Sequence, residues 1–154
     1  MTFKLSSKSR ERLTGVHLDL QAVVKRAIEI TGVDFTVLEG VRSAARQKQL
    51  VAAGASKTLD GRHLTGHAVD LGAFVDGAVS WDWEHYYPIA AAVRQAAVEL
   101  KIPVTWGGVW DKPLNSLSDT RKAVEAYVAS RRALKLSAFI DGPHFELPRK
   151  EYPV

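Results

Sequence analysis

The spacing of apolar residues in the first third of the chain predicts two helices separated by a strand. Apolar positions recur at helical intervals over residues 20–30, and Gly32 marks the stop. Residues 34–40 form a short apolar run that ends at a glycine, which is typical of a strand. A second helix is predicted over 43–54, with Ser43 as its N-terminal cap.

The middle of the chain changes to patterns that favour strands and then a long helix. A loop predicted over 55–67 leads into a strand over 68–75. The Asp-Gly pair at 76–77 is a strong signal for a two-residue hairpin. A long helix follows over 85–101, in which Pro88 is tolerated only if it lies in the first turn.

The last third of the chain mixes short strands with one further helix. A strand is predicted over 102–106, followed by an irregular stretch and an amphipathic helix within about 112–135. Residues 137–147 alternate like a strand on either side of an Asp-Gly-Pro interruption. Helices come first and the strands are joined by hairpins. This order predicts an α+β fold with a small, mainly antiparallel sheet flanked by helices.

Composition restricts the chemistry that the fold can carry. The 154 residues fit one domain, and the absence of cysteine excludes disulfides and thiolate metal sites. Any bound metal therefore needs His, Asp or Glu ligands. The net charge of +4 favours polyanionic surroundings, but the basic residues are dispersed and no nucleic-acid motif accompanies them. We therefore expect no nucleic-acid partner.

The sequence also bears on where the protein acts. The N-terminal stretch has no apolar core of the kind that a signal peptide needs, and no apolar run is long enough to span a membrane. We therefore expect a protein that is made in the cytoplasm and that depends on another factor for release if it acts elsewhere.

The first candidate cluster lies in the stretch GRHLTGHAVDLGAF, with His63, His67 and Asp70 close together. A helix would place the two histidines on one face, but Gly66 and the β-prone run after it argue against a helix. His63 with Asp70 is the better metal-binding pair, because an acid within a buried strand costs several kcal/mol unless it is paired or metal-bound. The alternative is that Asp70 pairs with an arginine or caps the loop.

A second cluster lies in the stretch IDGPHFEL near the end of the chain. On a strand, His144 and Glu146 point to the same face, and Asp141 reaches that face across the Gly-Pro bend. His144 offers a third metal ligand, and Asp141 offers a carboxylate that can take a proton from water. The alternative is a hydrogen-bonded histidine among surface acids. Together, His63, Asp70 and His144 predict an open His-Asp-His site of the catalytic type.

A third element is the arginine of the stretch GVRSAARQ. Arg42 follows a predicted strand and precedes a predicted helix, so it lies at the edge of the sheet. An arginine there can hold a carboxylate or stabilise a developing oxyanion. The alternative is a solvated loop arginine.

These motifs occur in an order that resembles a known group of enzymes. G-x-R, then H-x-x-G-x-A-x-D, then D-x-x-H resembles the zinc peptidases of the D-Ala-D-Ala carboxypeptidase and vancomycin-resistance D,D-dipeptidase superfamily. The chain is more closely similar to the L-alanyl-D-glutamate peptidases that tailed bacteriophages use as endolysins. The resemblance extends over almost the whole chain, includes the Trp-Gly-Gly-x-Trp stretch at 106–110, and implies a hedgehog/D-Ala-D-Ala peptidase-like fold.

The resemblance also implies roles for individual residues. The implied ligands of a Zn²⁺ ion are His63, Asp70 and His144. Asp141 matches the general base, with Glu146 as an alternative, and Arg42 matches the arginine that binds substrate and stabilises charge. Trp106 and Trp110 are expected to bind substrate. His67 stands at a variable position of the motif and is expected at the rim of the site, not among the ligands.

The implied reaction is hydrolysis of the L-Ala–D-Glu bond in the peptidoglycan stem peptide, which lyses the bacterial cell wall. The resemblance implies a zinc peptidase domain over 1–154, with a helical insertion at about 112–135. It further implies a monomer that stays in the host cytoplasm until a separate holin releases it. The alternatives are a D,D-carboxypeptidase or dipeptidase acting on the same stem, and a non-catalytic, zinc-stabilised wall-binding module.

Overall fold

A computed structural model describes residues 2–54 and 61–153 of the chain. In this described part, the α-helices are α1 (Ser7–Arg12), α2 (Leu18–Ile30), α3 (Ala44–Ala52), α4 (Trp83–Leu100) and α5 (Thr120–Ala133). The strands are β1 (Phe35–Glu39), β2 (Ala68–Val75), β3 (Ala78–Ser80), β4 (Thr105–Trp106) and β5 (His144–Glu146). Two short 3-10 helices cover Arg62–Thr65 and Leu114–Ser116.

Polar side chains set the starting points of two helices that begin earlier than the apolar pattern predicts. The Nδ1 atom of His17 accepts the backbone N–H of Asp19 (3.0 Å) at the start of α2. The carboxylate of Asp82 accepts the N–H of Glu84 (3.0 Å) at the start of α4. Pro88 therefore lies in the second turn of α4, so its predicted place in the first turn is wrong.

The strands form one antiparallel sheet, which confirms the predicted α+β class. The strand order is β1-β2-β5-β4, and β3 pairs with β2. The β2–β3 hairpin turns at Asp76 and Gly77, which have φ values of 52° and 80° as a two-residue turn of this kind requires. Local sequence therefore determines this hairpin.

The register of the sheet places acidic and histidine side chains in one row. Asp70 of β2 lies opposite Glu39 of β1 on one side and opposite His144 of β5 on the other. Residues opposite each other on neighbouring strands project from the same face. The next pair, Val69 and Phe145, projects from the other face and is fully buried in the core.

Three segments differ from the elements that the sequence predicts. The strand expected over 102–106 is limited to β4, because the side chain of Asn115 accepts the N–H of Val104 (3.0 Å) and donates to Ile102 O (2.8 Å). The strand expected over 137–147 is limited to β5. In the loop expected over 55–67, residues 55–60 lie outside the described residues, and the chain then forms the 3-10 helix.

The buried apolar side chains form a core between the sheet and the helices. α2 and α4 pack against each other within it, and α5 contributes Val124 and Tyr127 from one face. No helix in the described ranges is long and apolar enough to cross a membrane. The polar face of the sheet is thus held in place by a packed layer beneath it.

Candidate metal centre and active site

The three predicted metal ligands come together on the polar face of the sheet. His63 comes from the 3-10 helix Arg62–Thr65, Asp70 from β2 and His144 from β5. One potential ligand atom from each lies within 4.8 Å of the other two. Nε2 of His63 and Nδ1 of His144 are each 3.3 Å from Oδ1 of Asp70. These three residues can hold a metal ion.

The surroundings of each histidine decide which ring nitrogen faces the centre. Nδ1 of His63 is 2.9 Å from the carbonyl oxygen of Gly40. A carbonyl only accepts, so Nδ1 donates to it, and Nε2 is the nitrogen that faces Asp70. Nε2 of His144 is 2.7 Å from Oε1 of Glu146, which leaves Nδ1 facing Asp70. Metal-binding histidines are commonly oriented by such partners of the second nitrogen.

The Nε2 atom of His63 provides a direct test of whether a metal fits. It is buried and makes no hydrogen bond of good geometry among the described residues, although Oδ1 of Asp70 lies 3.3 Å away. A buried polar atom without a partner costs about 1–3 kcal/mol. A cation bound between this atom, Asp70 and His144 would remove that penalty, so the residues fit a metal with nitrogen and oxygen ligands.

Burial and charge change the proton affinities of the predicted ligands. Burial raises the pKa of Asp70, but the His144 and His63 rings outweigh it and hold the pKa well below the usual range. Burial lowers the pKa of His144, but hydrogen bonds to Asp70 and Glu146 outweigh it and raise the pKa to about 10. Without metal, His144 therefore holds a proton between two carboxylates, and metal binding would displace that proton.

Asp141 lies in the bend before β5, beside the metal-binding group. Its N–H donates to Gly107 O (2.8 Å), and its own carbonyl accepts the N–H of His144 (3.1 Å). A Cβ atom at Gly107 would lie 2.1 Å from the carbonyl oxygen of Asp141, so only glycine allows this approach. Burial, followed by the negative charge of Asp70, raises the pKa of Asp141.

Arg42 is buried, so the alternative of a solvated loop arginine is wrong. Its Nε and Nη2 donate to the two carboxylate oxygens of Glu39 (2.9 and 2.8 Å), and its Nη1 donates to Gln47 Oε1 (2.7 Å). Nη2 also lies 3.4 Å from Oδ2 of Asp70. Asp70 therefore faces the histidines with one oxygen and an arginine with the other. It pairs with an arginine, as the alternative interpretation expects, and its role as a metal ligand stays a prediction.

Glu39 and Gln47 also belong to this site, although the sequence did not predict them. Glu39 precedes Arg42 by three residues at the end of a strand, and that spacing was the available signal. Gln47 is 1% exposed, although it lies in a polar helix. Its burial depends on the position of Arg42 in the folded chain, which no local pattern specifies.

The predicted catalytic and ligand residues share a cavity of about 650 Å³. The functional candidates that line it are Arg42, His63, Asp70, Trp110, Asp141, His144 and Glu146. The ring centroid of Trp110 lies 5.3 Å from that of His144. Trp81 also lines the cavity and is 65% exposed, so it adds an apolar side chain at the opening.

The prediction that Trp106 binds substrate is wrong. Trp106 lies opposite Phe145 in the β4–β5 ladder and is fully buried. Because Phe145 alternates with His144 along β5, Trp106 projects away from the site and into the core. Its Nε1 donates to Gly142 O (2.8 Å), so it supports the bend that carries Asp141.

His67 lies apart from the metal-binding group, on the side of the chain that faces α2. Its Nδ1 is 2.7 Å from the hydroxyl of Thr65, and its ring lies 5.5 Å from that of His17. It is absent from the described lining of the cavity. His67 does not belong to the metal-binding group of the described residues, in agreement with the expectation that it is not a ligand. Its expected place at the rim stays a prediction.

Comparison with known proteins agrees with this geometry. A family model described as phage L-alanyl-D-glutamate peptidase matches residues 1–148. The L-alanyl-D-glutamate peptidase of Escherichia phage T5 is 35% identical over 115 residues, which are 72% of this chain and 84% of that protein. The crystal structure of Serratia marcescens L-Ala D-Glu endopeptidase ChiX is similar with a TM-score of 0.74 and 43% identity, covering 100% of this chain and 95% of that one. The chain therefore belongs to the phage L-alanyl-D-glutamate peptidase family.

Proposed function

We propose that this protein is a zinc-dependent peptidase that hydrolyses the L-Ala–D-Glu bond of peptidoglycan stem peptides and so lyses the bacterial cell wall. The observation that carries the proposal is the convergence of His63, Asp70 and His144 in one cavity with Asp141 and Arg42. The names of the T5 and Serratia relatives support the choice of bond.

His63, Asp70 and His144 would hold the zinc ion through two nitrogens and one carboxylate oxygen. Bound zinc supplies a Lewis acid that polarises the scissile carbonyl and makes water more acidic. The ring nitrogens that face Asp70 are held in place by Gly40 and Glu146. Glu146 is thus occupied in orienting His144, which leaves Asp141 as the preferred base.

Asp141 would accept a proton from the attacking water as the new C–O bond forms. It would return that proton to the leaving amine of D-Glu as the C–N bond breaks. A carboxylate with a raised pKa holds a transferred proton more readily, and burial and Asp70 raise the pKa of Asp141 in this way.

Arg42 would stabilise negative charge at the reacting carbonyl or hold a substrate carboxylate. Its guanidinium is fixed by Glu39 and Gln47, so it needs little reorganisation during the reaction. Trp110 would form an apolar wall for the substrate, since its ring packs 5.3 Å from the ring of His144.

The proposal extends to the organisation and the setting of the protein. We treat residues 1–154 as one zinc peptidase domain, in which the segment at about 112–135 is an insertion built around α5. The enzyme would act as a monomer on the stem peptide, remaining in the host cytoplasm until a separate holin gives it access to the wall.

The test is digestion of purified sacculi by zinc-loaded protein, with mass spectrometry of the released fragments. Fragments that begin with D-Glu are expected. Asp141→Asn should lower the rate by at least about 100-fold, because it removes the acid–base group, while zinc content stays unchanged. Asp111→Asn, which changes an exposed aspartate, serves as the matched control.

The other outcomes identify the rival functions. Release of D-alanine alone would assign a D,D-carboxypeptidase. Full activity of Asp141→Asn would remove Asp141 from the mechanism. A protein that binds sacculi without releasing fragments, and that unfolds when zinc is chelated, would be a zinc-stabilised binding module.

A further inference from the structure

A second cavity, shallow and open to solvent, adjoins the active-site cavity and, apart from Trp110, has no part in the mechanism above. Its volume is about 320 Å³, and it is lined by Trp110, Tyr127, Arg131, Ser137 and Phe139. Trp110 and Phe139 also line the first cavity, so the two cavities share an aromatic wall.

The shared wall is held close to the metal-binding group. Trp110 stacks on Phe139 with ring centroids 6.4 Å apart, and its Nε1 donates to Phe139 O (3.1 Å). The same indole lies 5.3 Å from the His144 ring. Because an extended residue spans about 3.3–3.6 Å, a peptide bound at His144 needs only a few residues to pass Trp110 and enter the second cavity.

The far wall of the second cavity comes from α5. Tyr127 and Arg131 are four residues apart and therefore project from the same side of that helix. Tyr127 is buried, while Arg131 is half-buried and donates from Nε to Ser137 O (2.7 Å). That bond fixes the guanidinium at the cavity.

Arg131 differs from the arginine of the first cavity in its charge balance. The guanidinium of Arg42 is neutralised by Glu39, whereas Arg131 makes no ion pair with any carboxylate of the described residues. A half-buried guanidinium held beside aromatic rings is suited to a carboxylate ligand with an apolar stem.

We propose that the second cavity is a specificity subsite for the stem-peptide residue that follows D-Glu, and that Arg131 binds the C-terminal carboxylate that this residue presents when the stem ends there. The inference rests on the proposed function, which places the scissile bond at His144 and Asp141. The chain beyond that bond is a peptide bearing carboxylates, whereas the sugar of the glycan strand offers no charge that Arg131 would match. The aromatic walls would pack against the aliphatic part of the same residue.

The test uses two synthetic tripeptides, N-acetyl-L-alanyl-γ-D-glutamyl-L-lysine with a C-terminal carboxylate or with a C-terminal carboxamide. The zinc-loaded wild-type protein should favour the carboxylate by about tenfold or more in kcat/KM, as expected for a charge-assisted hydrogen bond. Arg131→Gln should bring that ratio close to one, and Arg131→Lys should retain part of it. Arg132→Gln, at the exposed neighbouring position of α5, should keep the wild-type ratio.

Three outcomes would overturn the subsite. A wild-type ratio near one means that the terminal carboxylate is not recognised. An equal loss on both peptides in Arg131→Gln means that Arg131 only supports the carbonyl of Ser137. A loss of activity in Arg131→Gln on purified sacculi, with no loss on either tripeptide, assigns the cavity to sugar.

Calorimetric binding of both tripeptides to zinc-loaded Asp141→Asn separates this inference from the proposed function. Cleavage by the wild-type protein without any difference between the peptides refutes the subsite alone. An Arg131-dependent difference in binding, with no cleavage by the wild-type protein, refutes the peptidase activity and keeps the subsite. Absence of both cleavage and an Arg131-dependent difference refutes both.

Discussion

At the scale of single residues, the candidate metal centre depends on the second nitrogen of each histidine. A backbone carbonyl orients His63, and a carboxylate orients His144. The two partners are not equivalent, because Gly40 O is a neutral acceptor and Glu146 carries charge. The charged partner strengthens the electron donation of the ring that it holds. A change at Glu146 should therefore alter the zinc affinity of the site without removing a metal ligand.

We predict that Glu146→Gln weakens zinc binding by about 10–100-fold, the range typical for loss of such an orienting partner. The amide keeps the shape of the side chain but loses its charge. Zinc affinity would be measured by competition with a chromogenic chelator. Glu11→Gln, at an exposed position of α1, is the control and should bind zinc like the wild-type protein. Equal affinities in the two variants would contradict the orienting role of Glu146.

At the scale of elements, Arg42 joins the end of β1 to α3. It does so through Glu39 on the strand and Gln47 on the helix. Its backbone N–H donates to His63 O (2.9 Å), which ties the 3-10 helix to the same junction. The arginine that is proposed to bind substrate thus also holds the elements around the metal-binding group together.

We predict that Glu39→Gln lowers the free energy of unfolding by about 1–3 kcal/mol, because it leaves a buried guanidinium without its closest counter-charge. Chemical denaturation of the zinc-loaded protein would measure the change. The chain offers a matched control in Glu29→Gln, since Glu29 also pairs with an arginine three residues away, Arg26, but on the surface. That variant should change stability by less than about 0.5 kcal/mol. Similar losses in both variants would mean that burial of the pair is unimportant.

Local signals predicted most elements of this fold but not their lateral arrangement. The cap at Ser43 and the turn at Asp76 and Gly77 act through neighbouring residues, so the sequence alone reveals them. The limited length of β4 depends on Asn115, which lies beyond the strand along the chain and takes its backbone hydrogen bonds. No pattern of neighbouring residues shows that the Asn115 side chain competes for the backbone hydrogen bonds of this strand.

The candidate site was also predictable in part, because some of its features depend only on residues that are neighbours along the chain. The spacing around His144 indicated which side chains share a face, and the structure places them so. The predicted role of Trp106 was wrong because the face of a strand residue depends on its register with the partner strand. Trp106 pairs with Phe145 and is therefore buried with it. A sequence motif shows that a segment contains a tryptophan. The pairing of that segment with its partner strand decides which residues the tryptophan contacts.

At the scale of the whole molecule, the metal-binding group joins residues that are far apart in sequence but already close in the fold. Asp70 and His144 are 74 residues apart and are direct partners in the β2–β5 ladder. The core beneath them is apolar and contains none of the three metal-binding residues. We therefore expect the protein to remain folded when zinc is removed, as a catalytic site permits and a small structural zinc site does not.

The pH dependence of the metal-free protein tests this picture. Hydrogen bonds to Asp70 and Glu146 outweigh burial and raise the pKa of His144 from its ordinary 6.5 to about 10 in the folded chain. The proton on His144 therefore stabilises the fold fully below pH 6.5, and this contribution is lost as the pH rises through about 10. Melting temperatures measured in chelator should fall across this window. Zinc should reduce the fall, because the ion replaces the proton between His144 and Asp70.

The variant His144→Gln, melted in chelator, retains the background titration of the chain and should lack this part of the fall. An equal fall in the wild-type protein and in His144→Gln would contradict the assignment.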